Sequence, residues 1–462
     1  MTLIKSISGI RGTIGGAAGD NLTPPDIIAF TTAFAQLLRK NHSELERISV
    51  VVGRDARVSG TMVNHLVCGT LMAAGVDVYD LDLSTTPTVE VAVPAMNAAG
   101  GIILTASHNP GQWNALKLLN HKGEFISAAE GEWVLRMAER REFLYEEVAS
   151  IGHYHRSHGW IDKHIQMVLD LPLIDAKAVR AAGFKVAVDA VNSTGGLALP
   201  ALLKALGVET IHELYCQPTG LFPHNPEPLP EHLHELSALV RNTGSDLGFV
   251  VDPDVDRLAI VDENGEMFGE EYTLVAVADY VLSQTGGNTV SNLSSTRALA
   301  DITYAAGFEY HAAAVGEVNV VEKMKAVGAV IGGEGNGGII YPELHYGRDA
   351  LVGVALFLTH LAKKRMSCAQ LRKTYPDYFI SKNKIDLPST VNIDRVLEQI
   401  AADYASEKVT TIDGVKIDFE RGWVHLRKSN TEPIVRVYAE SSSPEEAQNL
   451  AAQILERVKN YC

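Results

Sequence analysis

One hydroxyl and three alternating carboxylates are the residues of this chain best placed to do chemistry. Ser107 lies in Thr105-Ala106-Ser107-His108-Asn109-Pro110, and much further along comes Asp252-Pro253-Asp254-Val255-Asp256-Arg257. In an extended segment, residues i, i+2 and i+4 point the same way. Read as extended, this segment lets Asp252, Asp254 and Asp256 converge on one cation; a helix would splay positions i and i+2 apart, and Pro253 disfavours one. Three carboxylates suit a hard cation such as Mg²⁺, which also takes phosphate and water oxygens. The acidic run lies between apolar segments 247–251 and 258–261. Carboxylates set between buried strands are costly unless positive charge neutralises them. The pair of motifs therefore points to phosphoryl transfer on a metal-backed serine. The plainer alternatives are a Ser-Asn-Pro turn and an Asp-rich solvated turn or structural calcium site.

Other polar loops supply matching groups. Lys117 stands ten residues after Ser107 and can give a phosphate a charge-assisted donor. Gly333-Glu334-Gly335-Asn336-Gly337-Gly338 formally matches the dinucleotide fingerprint, but the following Ile339-Ile340-Tyr341-Pro342 opens no helix. It reads better as a glycine loop presenting Glu334 and Asn336 to sugar hydroxyls. Arg427-Lys428-Ser429-Asn430-Thr431-Glu432-Pro433 combines guanidinium, hydroxyls, amide and backbone N–H groups, a cradle for a dianionic phosphate or else a polar hairpin turn. His153, His155 and His158 read as a solvated linker. Arg54-Asp55-Ala56-Arg57 reads as a surface ion-pair cluster or as part of the cleft lining. No P-loop and no G-x-S-x-G occurs in the sequence.

The elements that must position these loops repeat. Apolar strands are expected at 48–53, 184–189 and 288–293. Each is followed by a helical pattern ending near Gly75, Gly207 or Gly307, and then by a second strand. Strand–helix–strand units imply parallel crossovers, and ligands in such sheets sit beyond the carboxyl ends of the strands. The apolar stretch 350–362 reads as a buried helix too short to span a bilayer. After about residue 375 the pattern changes to helix, strands near 415–417, 423–426 and 434–438, and a last helix beginning near Ser443. The expected fold class is α/β: three related α/β domains with mixed sheets plus a smaller C-terminal α+β domain. The expected boundaries are 1–155 with the Ser107 loop, 156–257 ending in the acidic loop, 258–374 with the sugar-binding loop, and 375–462 with the phosphate-binding loop.

Bulk properties set limits. The 462 residues are 46% hydrophobic and carry a formal charge of −16, which argues against nucleic acid and anionic membranes as partners. The four cysteines are far apart and form no metal or CxxC spacing. They are expected as reduced thiols in a cytoplasmic protein, and Met1-Thr2-Leu3-Ile4-Lys5 opens no signal peptide.

Together the motifs resemble the α-D-phosphohexomutase superfamily, and most of all its phosphoglucosamine mutases. The resemblance runs the length of the chain, through Ser8-Gly9-Ile10-Arg11-Gly12, the Ser107 loop with Asn114 and Lys117, the acidic loop, the glycine loop and the Arg427 loop. It implies four domains around a central cleft and transfer of a phosphoryl group between O6 and O1 of a hexose phosphate, through a phosphoserine and a bisphosphorylated sugar. Ser107 would be that phosphoserine, holding Mg²⁺ with Asp252, Asp254 and Asp256. Arg11, His108, Lys117 and Arg257 would surround the transferring group, and Lys117, Arg11 and Glu317 are candidate general bases. Glu334 and Asn336 would contact the sugar, and Arg427, Ser429, Asn430 and Thr431 the other phosphate. A bisphosphorylated hexose is the implied activator, and the assembly a monomer or homodimer. Asn336 and Gly338 stand where many bacterial members carry Ser and His, and Val318 where the family loop carries a basic residue. The glycine-loop variant looks most like members assigned to glucosamine phosphates. The alternatives are a phosphomannomutase/phosphoglucomutase and a catalytically silent sugar-phosphate-binding protein.

Overall fold

The structure is a computed structural model that describes residues 2–6, 9–387, 391–428 and 434–461. It divides into two compact units, one of residues 1–284 and 336–372 and the other of 285–335 and 373–462. Within the first, a seven-stranded mixed sheet runs in the spatial order Ile4–Ser6, Gly9–Thr13, Trp113–Leu119, Gly100–Leu104, Ser49–Arg54, Asp77–Leu83, Tyr154–Arg156. Ser49–Arg54 pairs in parallel with both Asp77–Leu83 and Gly100–Leu104, as its crossover through the helix Gly60–Ala73 requires. That helix ends before Gly75 at φ 73°, a conformation glycine adopts at little cost. Strand Gly100–Leu104 is buried along its whole length, which explains its unbroken apolar sequence. The expected linker at His153 is instead a short exposed strand, Tyr154–Arg156, on the edge of this sheet. Its side chains alternate only between exposed directions, so no apolar period marked it.

The second sheet of this unit runs Leu258–Asp262, Leu247–Val251, Lys185–Asp189, Thr210–Leu214. The helix Ala350–Lys364 is buried through Leu361, as its composition implies. Asp349 caps it, accepting from the backbone N–H groups of Leu351 (2.8 Å) and Val352 (3.3 Å).

In the second unit, Tyr310–Ala313, Thr289–Asn292 and Ile331–Glu334 run parallel. The C-terminal region forms an antiparallel sheet in the order Phe379–Asp386, Ile434–Ser441, Gly422–Lys428, Val415–Phe419, Lys408–Thr410, with helices Ile393–Asp403 and Pro444–Lys459. Val424, Leu426, Val437, Ile400 and Ile454 share its core. Strand Phe379–Asp386 escaped the sequence reading because its alternating residues are only partly buried. No helix among the described residues is long and apolar enough to cross a membrane. Cys68, Cys216 and Cys368 are buried and free.

Candidate active site

Ser107 sits just beyond the carboxyl end of strand Gly100–Leu104, with φ at 48°. A non-glycine residue rarely holds this conformation unless its surroundings impose it. Here they do. The Ser107 N–H donates to Thr105 Oγ1 (3.0 Å), and that hydroxyl donates to Asp55 Oδ2 (2.6 Å). Asp55 also accepts from Arg57 Nε (2.9 Å), and the Arg57 guanidinium returns to the serine loop. It donates to the carbonyl oxygens of Ser107, Asn109 (2.6 Å), Pro110 (2.7 Å) and Trp113 (3.1 Å). Asp55 and Arg57 are 0% and 1% exposed, so the reading of this cluster as a surface ion pair is corrected. Only Arg54 of the cluster pairs near the surface, with Asp82 at 2.6 Å. Burial, against the pull of Arg57, raises the Asp55 pKa.

The three aspartates are fully buried, with ligand atoms all within 4.8 Å of one another. They converge for a different reason from the one expected. Residues 253–255 form a turn, not an extended strand. Val255 takes φ 65°, exceptional for a β-branched residue, and the N–H groups of Asp256 and Arg257 fold back onto Asp252 Oδ1 (both 3.2 Å). Neighbouring groups pin the loop. Ser193 and Thr194 hydroxyls donate to the Pro253 carbonyl (2.6 and 2.9 Å), and the Thr86 hydroxyl donates to Asp254 Oδ2 (2.6 Å). Alternation alone would not have closed the triad; the left-handed Val255 does.

Ser107 Oγ donates to Asp252 Oδ2 at 2.6 Å and lies 3.4 Å from His108 Nδ1. Lys117 Nζ donates to Asp254 Oδ2 (2.7 Å) and also reaches Asp256 Oδ2 (3.4 Å). Burial works against the ammonium, but Asp254 and then Asp256 outweigh it and raise its pKa. Asp252 is pushed well up by burial, then by Asp256 and Asp254. Asp256 goes the other way: burial is overcome by Arg348, Lys117 and Arg257, and its carboxyl is held low. His108 falls to about 2, through burial first and Arg257 second, so it is a neutral imidazole at neutral pH.

Arg11 stands opposite Ala115 in the antiparallel pairing, and Lys117 is two residues on. Cross-strand partners and i+2 neighbours share a face, so both cations belong to one face of the sheet. Arg257 lies 3.5 Å from Glu227 and 3.9 Å from Asp256.

The triad fits a divalent cation. Asp254 Oδ1 and Asp256 Oδ1 are buried oxygens with no hydrogen-bond partner among the described residues, and unsatisfied buried carboxylate oxygens are expensive. A hard cation held by Asp252, Asp254 and Asp256 beside the Ser107 oxygen would satisfy them.

Two residues of this site were not singled out from the sequence. Arg348 Nη2 donates to Asp256 Oδ2 at 2.6 Å. Thr86 holds Asp254. Neither carried a motif; the only signal for Arg348 was a charged residue placed just before an apolar helix.

The remaining expected residues fall elsewhere. Glu334, buried at the end of its strand in the second unit, accepts from Asn292 Nδ2 (2.9 Å) and the Gly316 N–H (3.2 Å). Glu317 begins the helix Glu317–Val327 of that unit. Asn336 belongs to the first unit, and its Oδ1 accepts from the Gly338 N–H (3.2 Å). Gly337, at φ 81°, lets the loop pass against the Leu258 carbonyl, which a Cβ would approach to 2.1 Å. Arg427 pairs with Asp413 (3.2 Å). Ser8, Ser429, Asn430, Thr431 and Cys462 lie outside the described residues.

Comparison with known proteins places this geometry in a family. Successive parts of the chain match the phosphoglucomutase/phosphomannomutase family: α/β/α domain I over residues 3–144, domain II over 162–265, domain III over 269–378 and the C-terminal domain over 388–457. A phosphoglucomutase/phosphomannomutase of Thermococcus kodakarensis is 34% identical, with 95% of each chain covered. A phosphoglucosamine/phosphogalactosamine mutase of Sulfurisphaera tokodaii is 30% identical, covering 96% of this chain and 97% of its own. A crystal structure of a phosphoglucomutase/phosphomannomutase family protein from Burkholderia thailandensis superimposes with a TM-score of 0.84 at 26% identity, covering 99% of this chain and 98% of that one. The chain belongs to the phosphoglucomutase/phosphomannomutase family of the α-D-phosphohexomutase superfamily. As a member it is an intramolecular phosphotransferase, a phosphohexomutase.

Proposed function

We propose that the chain interconverts glucosamine 6-phosphate and glucosamine 1-phosphate, using a phosphorylated Ser107, a Mg²⁺ ion at the acidic triad and a bisphosphorylated sugar intermediate. The observation that carries this reading is the 2.6 Å contact of Ser107 Oγ with Asp252 inside a buried cluster of three carboxylates. A bound Mg²⁺ supplies charge neutralisation to the phosphoryl oxygens, the main demand of phosphoryl transfer. The protein's residues do the rest. Arg57 and Asp55 hold the serine in its strained conformation. Lys117, bonded to Asp254 and Asp256, stands beside the transferring group, and Lys117, Arg11 and Glu317 are the candidate acceptors of the sugar hydroxyl's proton. Arg11, Arg257 and the neutral His108 complete the surroundings of Ser107. Phosphoserine gives its phosphoryl group to a free sugar hydroxyl, the bisphosphorylated sugar reorients, and its other phosphate returns to Ser107. A bisphosphorylated hexose therefore also serves as activator for unphosphorylated enzyme. Glu334 and Asn336 are assigned to sugar hydroxyls, and Arg427 with Ser429, Asn430 and Thr431 to the phosphate that is not reacting.

The amino-sugar assignment draws support from the glycine-loop variant with Asn336 and Gly338 and from relatives named phosphoglucosamine mutase. A phosphoglucomutase/phosphomannomutase activity is favoured by the Thermococcus relative. Turnover of glucosamine, glucose and mannose 1-phosphates separates the two. The expected order puts glucosamine 1-phosphate first, and equal or faster turnover of mannose 1-phosphate overturns the assignment. Chelation by EDTA is expected to stop turnover and added Mg²⁺ to restore it; undiminished activity in EDTA would remove the triad from the reaction.

Arg348 bears on the same site with a definite sign. Its guanidinium competes with a metal for Asp256 and also adds positive charge near the reacting group. In Arg348→Gln, kcat is expected to fall by about 10-fold or more, while the Mg²⁺ concentration giving half-maximal activity also falls. A higher metal requirement would show instead that Arg348 helps assemble the metal site.

A further inference from the structure

Apart from the acidic triad, one other group of described side chains brings metal-ligating atoms together: His164, His345 and Asp349, again all within 4.8 Å of one another. His164 belongs to helix Trp160–Leu169, while His345 and Asp349 precede helix Ala350–Lys364. His164 Nε2 lies 2.9 Å and His345 Nε2 3.3 Å from the same oxygen, Asp349 Oδ2. Ligands arranged tetrahedrally on a zinc ion, at about 2.0–2.1 Å, lie roughly 3.3 Å from one another. Asp349 Oδ1 is committed to capping its helix, which leaves Oδ2 as a single-oxygen donor aimed at both imidazoles.

The outer nitrogens also face polar atoms, that of His164 within hydrogen-bond reach and that of His345 at ion-pair distance. His164 Nδ1 lies 3.0 Å from the Thr88 hydroxyl, and His345 Nδ1 3.4 Å from Glu90 Oε2. Both partners project from helix Thr86–Ala95. A partner on the far nitrogen, often a carboxylate, is the usual support of a metal-bound imidazole. The approach is tight, since a Cβ at Gly347 would lie 2.0 Å from Glu90 Oε2. Glu90, His164 and Asp349 are at most 1% exposed. Burying the Asp349 carboxylate calls for accompanying positive charge, and a divalent ion would supply it with both imidazoles acting as neutral ligands.

We propose that His164, His345 and Asp349 form a second metal site, distinct from the acidic triad, that binds Zn²⁺ or a similar borderline transition metal, with Glu90 and Thr88 orienting the two imidazoles. Imidazole and carboxylate together suit such an ion, whereas the all-carboxylate triad suits Mg²⁺. The site would join three segments behind the reaction centre. Helix Thr86–Ala95 also carries Thr86, which bonds Asp254, and Arg348 next to Asp349 bonds Asp256.

The test uses full-length protein stripped of metal and titrated with Co²⁺ in excess Mg²⁺, so that the triad is occupied. The expected result is a visible d–d absorption band saturating at about one Co²⁺ per chain, displaced by Zn²⁺, retained in Asp254→Asn and lost in His345→Gln. Zn²⁺ should also raise the melting temperature of the parent protein and leave that of His345→Gln unchanged. Should His345→Gln fail to fold, Glu90→Gln serves in its place, with Co²⁺ affinity expected to fall by about 10–100-fold. Absence of a band in excess Mg²⁺, a band retained in His345→Gln, or one lost in Asp254→Asn overturns the proposal and leaves a hydrogen-bonded His–Asp–His cluster. Because the readout is metal binding, the result is independent of which sugar phosphate the enzyme turns over.

Discussion

Ser107→Ala is expected to lower turnover by about 10⁴-fold or more while the protein still folds. The hydroxyl is the only group in the Ser107 loop set against Asp252, at 2.6 Å, and a methyl cannot carry a phosphoryl group. The structural cost is small by comparison, about 1 kcal/mol for one lost hydrogen bond, because Ala tolerates φ 48° no worse than Ser does. Ser107→Gly sharpens the test. It should be as inactive as the alanine variant yet melt higher, since glycine adopts a left-handed conformation without strain. Steady-state assays with each hexose phosphate and thermal melts check both expectations. Substantial turnover in either variant would show that another group carries the phosphoryl. Intact mass of the parent protein offers a companion measurement: a fraction heavier by one phosphoryl group, mapped to Ser107, is the expected resting state.

Arg57→Met should produce the second large effect, this time on both stability and rate. The guanidinium is 1% exposed and bonds Asp55 and four carbonyl oxygens of the segment 107–113. Removing it leaves the Asp55 carboxylate buried without its ionic partner, a loss of about 3–5 kcal/mol. It also frees the peptide that follows Ser107, and loss of positioning on the scale of an ångström costs about 10²-fold in rate. Arg57→Lys should recover part of the stability through its charge, but little of the rate, because one ammonium cannot serve several carbonyls in the planar geometry of a guanidinium. Urea unfolding and kcat measured on the same preparations would show both losses. An Arg57→Met protein with full activity and unchanged stability would mean that the serine loop holds itself.

Much of this protein was legible in its sequence. Parallel strand–helix–strand units announced themselves through buried apolar strands and glycines at helix ends, because burial and left-handed backbone each restrict residue type at a single position. Ser107, Lys117 and the three aspartates could be singled out from sequence as well, and the structure gathers them in one cluster. The edge strand Tyr154–Arg156 was missed because an exposed strand leaves no apolar period.

Tertiary structure decided how those groups meet. The aspartates converge through a turn at Val255, whose strained φ depends on contacts from Thr86, Ser193 and Thr194, residues remote in sequence. Arg57 became the support of the serine loop only once strands Ser49–Arg54 and Gly100–Leu104 were neighbours, and Arg348 a partner of Asp256 only once its segment packed beside the acidic loop. Even the grouping of His164 with His345 and Asp349 depends on helix packing that no local spacing encodes. Sequence alone determined which polar groups the site holds and the local elements that carry them, because those follow from residue type and short-range periodicity. Only the folded chain set their distances, charges and strain, because these arise from contacts between residues far apart along it.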